Sequence, residues 1–171
     1  IRLSNLDDWQ FSQKMIEIEE IITDWYETDD YDVCDACRQK CQDEDIKVVG
    51  AIKPTKAQLE AMKFGWTFIK HVKSNAIALV KGTQTVGIGA GQTSRVDSAL
   101  HAIRKAGKLA KGSVLISDAF LPKADTVTFA AKAGVVAIIQ TGGSIADQEV
   151  INEANKRKIA MVTTGVRHFK H

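Results

Sequence analysis

From residue 46 onward the chain alternates short apolar runs with segments of helical periodicity, and this alternation limits the fold more than any other feature. IKVVGAI (46–52), AIALVK (76–81), TVGIG (85–89), SVLISDAF (113–120, becoming loop at Asp118), VVAIIQ (135–140) and IAMVTT (159–164) read as strands, the first of them buried. The intervening segments read as helices. Pro54 and Thr55 open one that runs to about Val72, with Thr55 and Gln58 spaced as a capping box. A second covers 93–106 and stops at Gly107. Asp125 caps a third over about 126–133, which Gly134 ends, and Ser144 with Asp147 starts a fourth that reaches about Lys156. KGTQ is too short for a crossover, so the strands on either side of it form a hairpin. Strands and helices joined by short loops predict an α/β fold. Apolar runs without strict alternation predict a sheet covered on both faces, hence a three-layer α/β/α sandwich.

Residues 1–45 have a different character and are expected to form a separate acidic helical segment, with 46–171 as the α/β body. FSQKMIEIEEIITDWY places Met15, Ile16, Ile18, Ile21, Ile22 and Trp25 at helical spacing. This segment holds 14 Asp/Glu against 4 Lys/Arg, a balance of −10, whereas residues 46–171 hold 7 against 19, a balance of +12. A body this basic favours anionic ligands, and the acidic segment folding against it is the plain alternative. No aromatic-rich basic patch offers a stacking platform for bases, so phosphorylated or carboxylated small molecules are expected and nucleic acid is not. Cys34, Cys37 and Cys41 share one helical face. A zinc or iron–sulfur site would need a fourth ligand, and an odd count does not close into disulfides. Reduced structural thiols, no metal and a cytoplasmic location are the expectation. No apolar run approaches the ~20 residues of a membrane span, and no secretory signal is visible. The first residue is Ile1, which predicts a trimmed or processed chain or a fragment.

In an open α/β sheet, ligands gather at the carboxyl ends of strands. Gln92, Ser94 and Arg95 follow one predicted strand, Ser117 and Asp118 another, and Gly142, Gly143 and Ser144 a third; Arg167 follows the last. Asn75 stands apart, between a helix end and a strand start. GIGAGQ is not the dinucleotide fingerprint: its spacing is G-x-G-x-G, its strand belongs to a hairpin, and no acidic residue closes the next strand. Its small residues at a helix start could still present backbone N–H groups to an anion, with Arg95 adding a charge-assisted bond. The plain reading is a tight turn with Arg95 on the surface. Asp118 and Asp125 could each serve as acid, base or acceptor, and Asp125 as a helix cap. The four histidines show no metal-binding or zinc-deaminase spacing.

Taken together, KHVKSNAIALVK, TVGIGAGQTSRVDSA, ISDAFLPKAD, IQTGGSIADQEVI and TTGVRHFKH resemble, in this order, the carboxyl-terminal half of the aminoimidazole carboxamide ribonucleotide (AICAR) formyltransferase domain. That domain forms part of the bifunctional purine-biosynthesis enzymes that also carry IMP cyclohydrolase. The resemblance covers about 46–171 and does not extend to 1–45. It implies a cytidine-deaminase-like α/β/α fold, and formyl transfer from 10-formyltetrahydrofolate, as co-substrate, to the 5-amino group of AICAR. It implies that Asn75 lies near the reacting amine as the catalytic contact. It places Arg95, Phe120 and Arg167 on AICAR, and Val96, Asp125, Ser144 and Ile145 on the folate. A homodimer is implied, because family sites form where subunits meet. Two departures stand out. Leu121-Pro122-Lys123-Ala124-Asp125 lacks an aromatic and an arginine of the family's loop. The family's catalytic lysine–histidine pair lies in the other half of the domain, and Lys70-His71 matches it in letters only. Partnership with that missing half is therefore expected. A non-catalytic nucleotide- or folate-binding module and a structural docking domain are the alternatives.

Overall fold

The computed structural model describes residues 46–170. The acidic helical segment expected over 1–45, with Cys34, Cys37 and Cys41, lies outside the described residues, as does His171.

The elements follow in the order β1 (Lys47–Val48), α1 (Lys56–Ile69), β2 (Ile77–Lys81), β3 (Gln84–Gly89), α2 (Arg95–Ala106), β4 (Val114–Ser117), α3 (Asp125–Lys132), β5 (Ala137–Gln140), α4 (Asp147–Lys156) and β6 (Ala160–Thr163), with one 3-10 turn at Gly107–Ala110. All six strands form one mixed sheet in the order β1-β6-β5-β4-β2-β3. β4, β5 and β6 are parallel, and the helical crossovers α3 and α4 connect them as that geometry requires. β2 is antiparallel to both β3 and β4.

Alternate residues of β2, β4, β5 and β6 feed two separate cores, which makes the fold a three-layer α/β/α sandwich. Ile77, Leu79, Leu115, Ile138 and Met161 pack beneath Ala99, Ala102 and Ala106 of α2, Val127 and Ala130 of α3, and Val150 and Ala154 of α4. Ala78, Val80, Ile116, Ile139 and Val162 face the other way, onto Ala61, Met62, Trp66 and Ile69 of α1. Strands buried on both sides cannot show an alternating polar pattern, which is why these runs are continuously apolar. Thr55 and Gln58 form the expected reciprocal capping box of α1.

Three local readings differ from the structure. IKVVGAI supplies only the two-residue β1, exposed at the sheet edge and antiparallel to β6. An edge position beyond β6 leaves apolar Val48 47% exposed. Asp125 is the first residue of α3 and does not cap it: Ala124 is already in the helical region, and a cap needs extended backbone. Ser144 likewise closes the turn before α4, its Oγ accepting from Ala146 N at 3.1 Å, while Ala146 occupies the position before the helix.

Candidate functional site

The directions of the strands bring every candidate loop to one edge of the sheet. β4, β5 and β6 end there, and so does β3, which runs in the same sense as β4 because both oppose β2. The reversed β2 begins there. Asn75, which precedes β2, therefore stands beside residues that follow other strands.

Asp118, at the end of β4, is the centre of this edge. It is fully buried, and its carboxylate forms an ion pair with Arg95 Nη1 and accepts from Ser74 Oγ. Its backbone N–H donates to Ala76 O at 3.3 Å, and its carbonyl accepts from His168 N at 2.9 Å. One residue thus joins the loop before β2, the first turn of α2, the end of β4 and the tail after β6. Asp118 was legible as a candidate but not separable from Asp125, because its partners lie 23 and 44 residues away.

Arg95 is turned inward. It is 7% exposed, and besides Asp118 it donates to Ser117 Oγ at 3.2 Å and, through Nη2, to Asn75 Oδ1 at 3.0 Å. Arg95 thus does not take the surface position of the plain reading. Ser94 caps that helix, accepting from Asp97 N at 3.1 Å, and its hydroxyl donates to the Asp97 carboxylate at 2.5 Å. The Ser94 side chain thus satisfies one N–H of the helix start, and the Asp97 carboxylate lies in the first turn. The glycines of the loop divide by role. A Cβ on Gly87 would fall 2.1 Å from Ala102 O, and one on Gly89 1.9 Å from Ser98 O. These two lie in β3 and let α2 press onto it; only Gly91, at φ +65°, serves the turn itself.

Asn75 is held on both ends of its amide. Nδ2 donates to Gln92 O at 2.9 Å and Thr93 O at 3.3 Å, and Oδ1 faces the Arg95 guanidinium. Both amide hydrogens are thereby engaged. An amide oxygen has two lone pairs, so the second at Oδ1 can accept an N–H from a ligand.

Gln140, the last residue of β5, links two of the other candidate loops. Gln140 is fully buried, and its Oε1 accepts from Leu121 N at 3.1 Å and Gly142 N at 3.2 Å. It ties the loop carrying half-buried Phe120 to the glycine turn before Ser144. Asp147 adds to the turn, its Oδ2 accepting from Gly143 N at 2.7 Å. Asp125 Oδ1 accepts from Thr126 N at 2.6 Å, Val96 is half-buried in the first turn of α2, and Ile145 is fully exposed. Gln140 did not stand out from the sequence, since a strand-ending glutamine carries no motif.

The tail after β6 closes the edge. Arg167 is exposed, with its guanidinium carbon 4.2 Å from the centre of the Phe169 ring. His168 is buried against Trp66, ring centres 4.5 Å apart. Burial, followed by the charge of Lys70, pushes the His168 imidazole down to about 4; Asp118 acts in the opposite sense and His71 adds to the lowering. Burial and the charges of Lys70 and Lys170 also lower His71. An unfolded histidine titrates near ~6.5. The unfolded chain therefore binds more protons than the native one below that pH, so stability is full above it and falls as pH drops towards about 4. Thermal denaturation across this window should show a declining Tm, with a shallower decline for His168→Phe. Equal slopes for the two chains would exclude His168 as a source.

Among the described residues, no three His, Cys, Asp or Glu side chains are grouped to hold a metal ion. No helix among them is long and apolar enough to cross a membrane.

The AICARFT/IMPCHase bienzyme family matches residues 6–105. The chain belongs to that family. The match starts at residue 6, so the likeness to the AICARFT/IMPCHase family extends into 1–45, where the motifs showed none. The bifunctional purine biosynthesis protein PurH of Halalkalibacterium halodurans is 58% identical over 130 residues, which are 76% of this chain and 25% of that protein. PurH of Lysinibacillus sphaericus is 56% identical over 127 residues, 74% of this chain and 25% of its own. The chain thus spans about a quarter of the length of these curated relatives. Among solved structures, a RibD of Acinetobacter baumannii aligns over 63% of this chain and 34% of its own at a TM-score of 0.44 and 17% identity.

Proposed function

We propose that this chain is the carboxyl-terminal part of an AICAR formyltransferase, acting in purine biosynthesis by transfer of a formyl group from 10-formyltetrahydrofolate to the 5-amino group of AICAR. The observation that supports this most is the Asn75–Arg95–Asp118 cluster at the carboxyl edge of the sheet, with its amide locked so that only an acceptor remains for a ligand. In this reading, Asn75 Oδ1 accepts an N–H of the reacting amine and aims its nitrogen lone pair at the formyl carbon. Arg95 holds that amide in place. Exposed Arg167 takes an anionic part of the nucleotide, and Phe120 packs on it. Val96, Asp125, Ser144 and Ile145 form the folate side, the Asp125 carboxylate accepting from a pterin N–H. Formyl transfer also creates an oxyanion to be stabilised and a proton to be removed. Those groups are assigned to the part of the relatives' length that this chain does not span. A second copy of the chain is the proposed partner in a homodimer.

Titration of the chain with AICAR and with a reduced-folate analogue tests this reading. Binding of both is expected, and binding of neither defeats it. Arg167→Ala is the cleaner probe of the nucleotide side, because Arg95 is part of the buried framework. Losing a charge-assisted bond of ~1.5–3 kcal/mol should weaken AICAR binding by tenfold or more. Unchanged affinity would remove Arg167 from the site.

A further inference from the structure

One short loop connects the two halves of the proposed nucleotide site. Ser74 Oγ donates to the Asp118 carboxylate and accepts from Lys170 N at 2.9 Å, and Ser74 N donates to Lys170 O at 2.8 Å. The tail is gripped again two residues earlier, where His168 N donates to Asp118 O at 2.9 Å. Arg167 lies between β6 and these two grips. On its other side, Ser74 is joined directly to Asn75, whose carbonyl accepts from Ser98 Oγ at 2.8 Å in α2. The same Asp118 carboxylate thus faces Arg95, which orients the Asn75 amide, and Ser74, which holds the tail.

We infer that Ser74 and Asp118 are positioning residues that couple the Asn75 amide to the Arg167 tail, so that the amine end and the anionic end of the nucleotide are held in one geometry. This rests on the functional reading above. Neither residue touches a ligand; each acts through another. Ser74 makes three bonds, one to the Asp118 carboxylate that pairs with Arg95 and two to the backbone of Lys170, three residues beyond Arg167. Loss of its hydroxyl alone removes the acceptor of Lys170 N, so that the backbone bond from Ser74 N holds the tail to this loop with one tie fewer, and removes the Ser74 bond to the Asp118 carboxylate. Arg95 remains paired, so the buried charge stays compensated and the fold survives. Arg167 then samples positions off the nucleotide, and ordering it becomes part of the cost of binding. The folate side, organised by Gln140 and the glycine turn, has no bond to Ser74 among those described and should not respond.

The test uses the full chain with Ser74→Ala and Ser74→Thr. Three readings are taken: affinity for AICAR, affinity for a reduced-folate analogue, and amide hydrogen exchange at Lys170. Ser74→Ala should weaken AICAR binding about tenfold, equivalent to ~1.4 kcal/mol, leave folate affinity within twofold, and speed Lys170 exchange. Ser74→Thr keeps the hydroxyl and should restore the first and third. A general loss of structure would lower both affinities together, and that result, or unchanged AICAR affinity in Ser74→Ala, overturns the inference. If the unaltered chain binds no AICAR, the functional reading fails. The clamp is then judged by exchange alone: unchanged Lys170 protection in Ser74→Ala overturns it.

Discussion

Asp118→Ala should lower the stability of this domain by about 3–5 kcal/mol, the usual cost of stripping one partner from a buried ion pair. The Arg95 guanidinium would keep its place in the interior with its charge uncompensated, and the Ser74 hydroxyl would lose its acceptor, while the bond from His168 N to the backbone carbonyl of residue 118 would remain. Domains are commonly stable by only ~5–15 kcal/mol, so the loss should appear in urea denaturation as a large drop in midpoint. Arg95→Met should cost a similar amount for the converse reason. The double change Asp118→Leu with Arg95→Met should cost clearly less than the two single losses together, because neither charge is then stranded. A single Asp118→Ala change that moves stability by under about 1 kcal/mol would mean that the pair is not buried as described.

Gly89→Ala should be at least as damaging, by a steric route. The added Cβ would lie 1.9 Å from the carbonyl oxygen of Ser98, 2.7 Å from its carbon and 2.9 Å from its Cα. All three are helix backbone, which no rotamer change can clear, so α2 must move off β3. Overpacking usually costs ~1–3 kcal/mol when side chains can shift; here the expected loss exceeds that range. The displaced helix carries Arg95 and Ser98, so its movement also pulls at Asp118 and at the Asn75 carbonyl. Little folded protein should be recovered at 37 °C. Gly82→Ala is the matched control: it has no atom within 4 Å of the new Cβ and only the strain of φ +60° to bear, a cost of about 1 kcal/mol. A Gly89→Ala chain as stable as the Gly82→Ala chain would contradict the close seating of α2.

The strands, the hairpin and the α1 capping box were legible because each is specified by neighbours in sequence. β2 to β6 coincide with apolar runs, and the Thr55–Gln58 box follows from a spacing of three. What escaped was whatever depends on partners far along the chain. Arg95 reads from its neighbours as a surface or ligand arginine, and only the placement of β4 beside β2 shows Asp118 within its reach. Apolar content suggested burial for IKVVGAI, but burial is set by a strand's place in the sheet order, and β1 fell on the edge. Asp125 and Ser144 have the chemistry of caps, yet Ala124 and Ala146 had already turned away from the extended backbone a cap uses. The edge that holds the candidate residues was anticipated from the α/β pattern alone. The inclusion of Asn75 on it required knowing that β2 runs backwards.

That reversed strand also shapes how any ligand would act on the whole molecule. The groups meeting at Asp118 come from residues 74, 95 and 168, and they assemble only once the β2–β3 hairpin has docked against the parallel strands and the tail has brought His168 against Trp66 of α1. A chain in which these parts have not docked lacks the assembled Asp118 cluster. A molecule held there would bind the native state and ignore the unfolded one, adding ~2.7 kcal/mol at a hundredfold excess over its Kd. Melting temperature is therefore a label-free readout for this edge: a compound bound there should shift the melting of all three layers together.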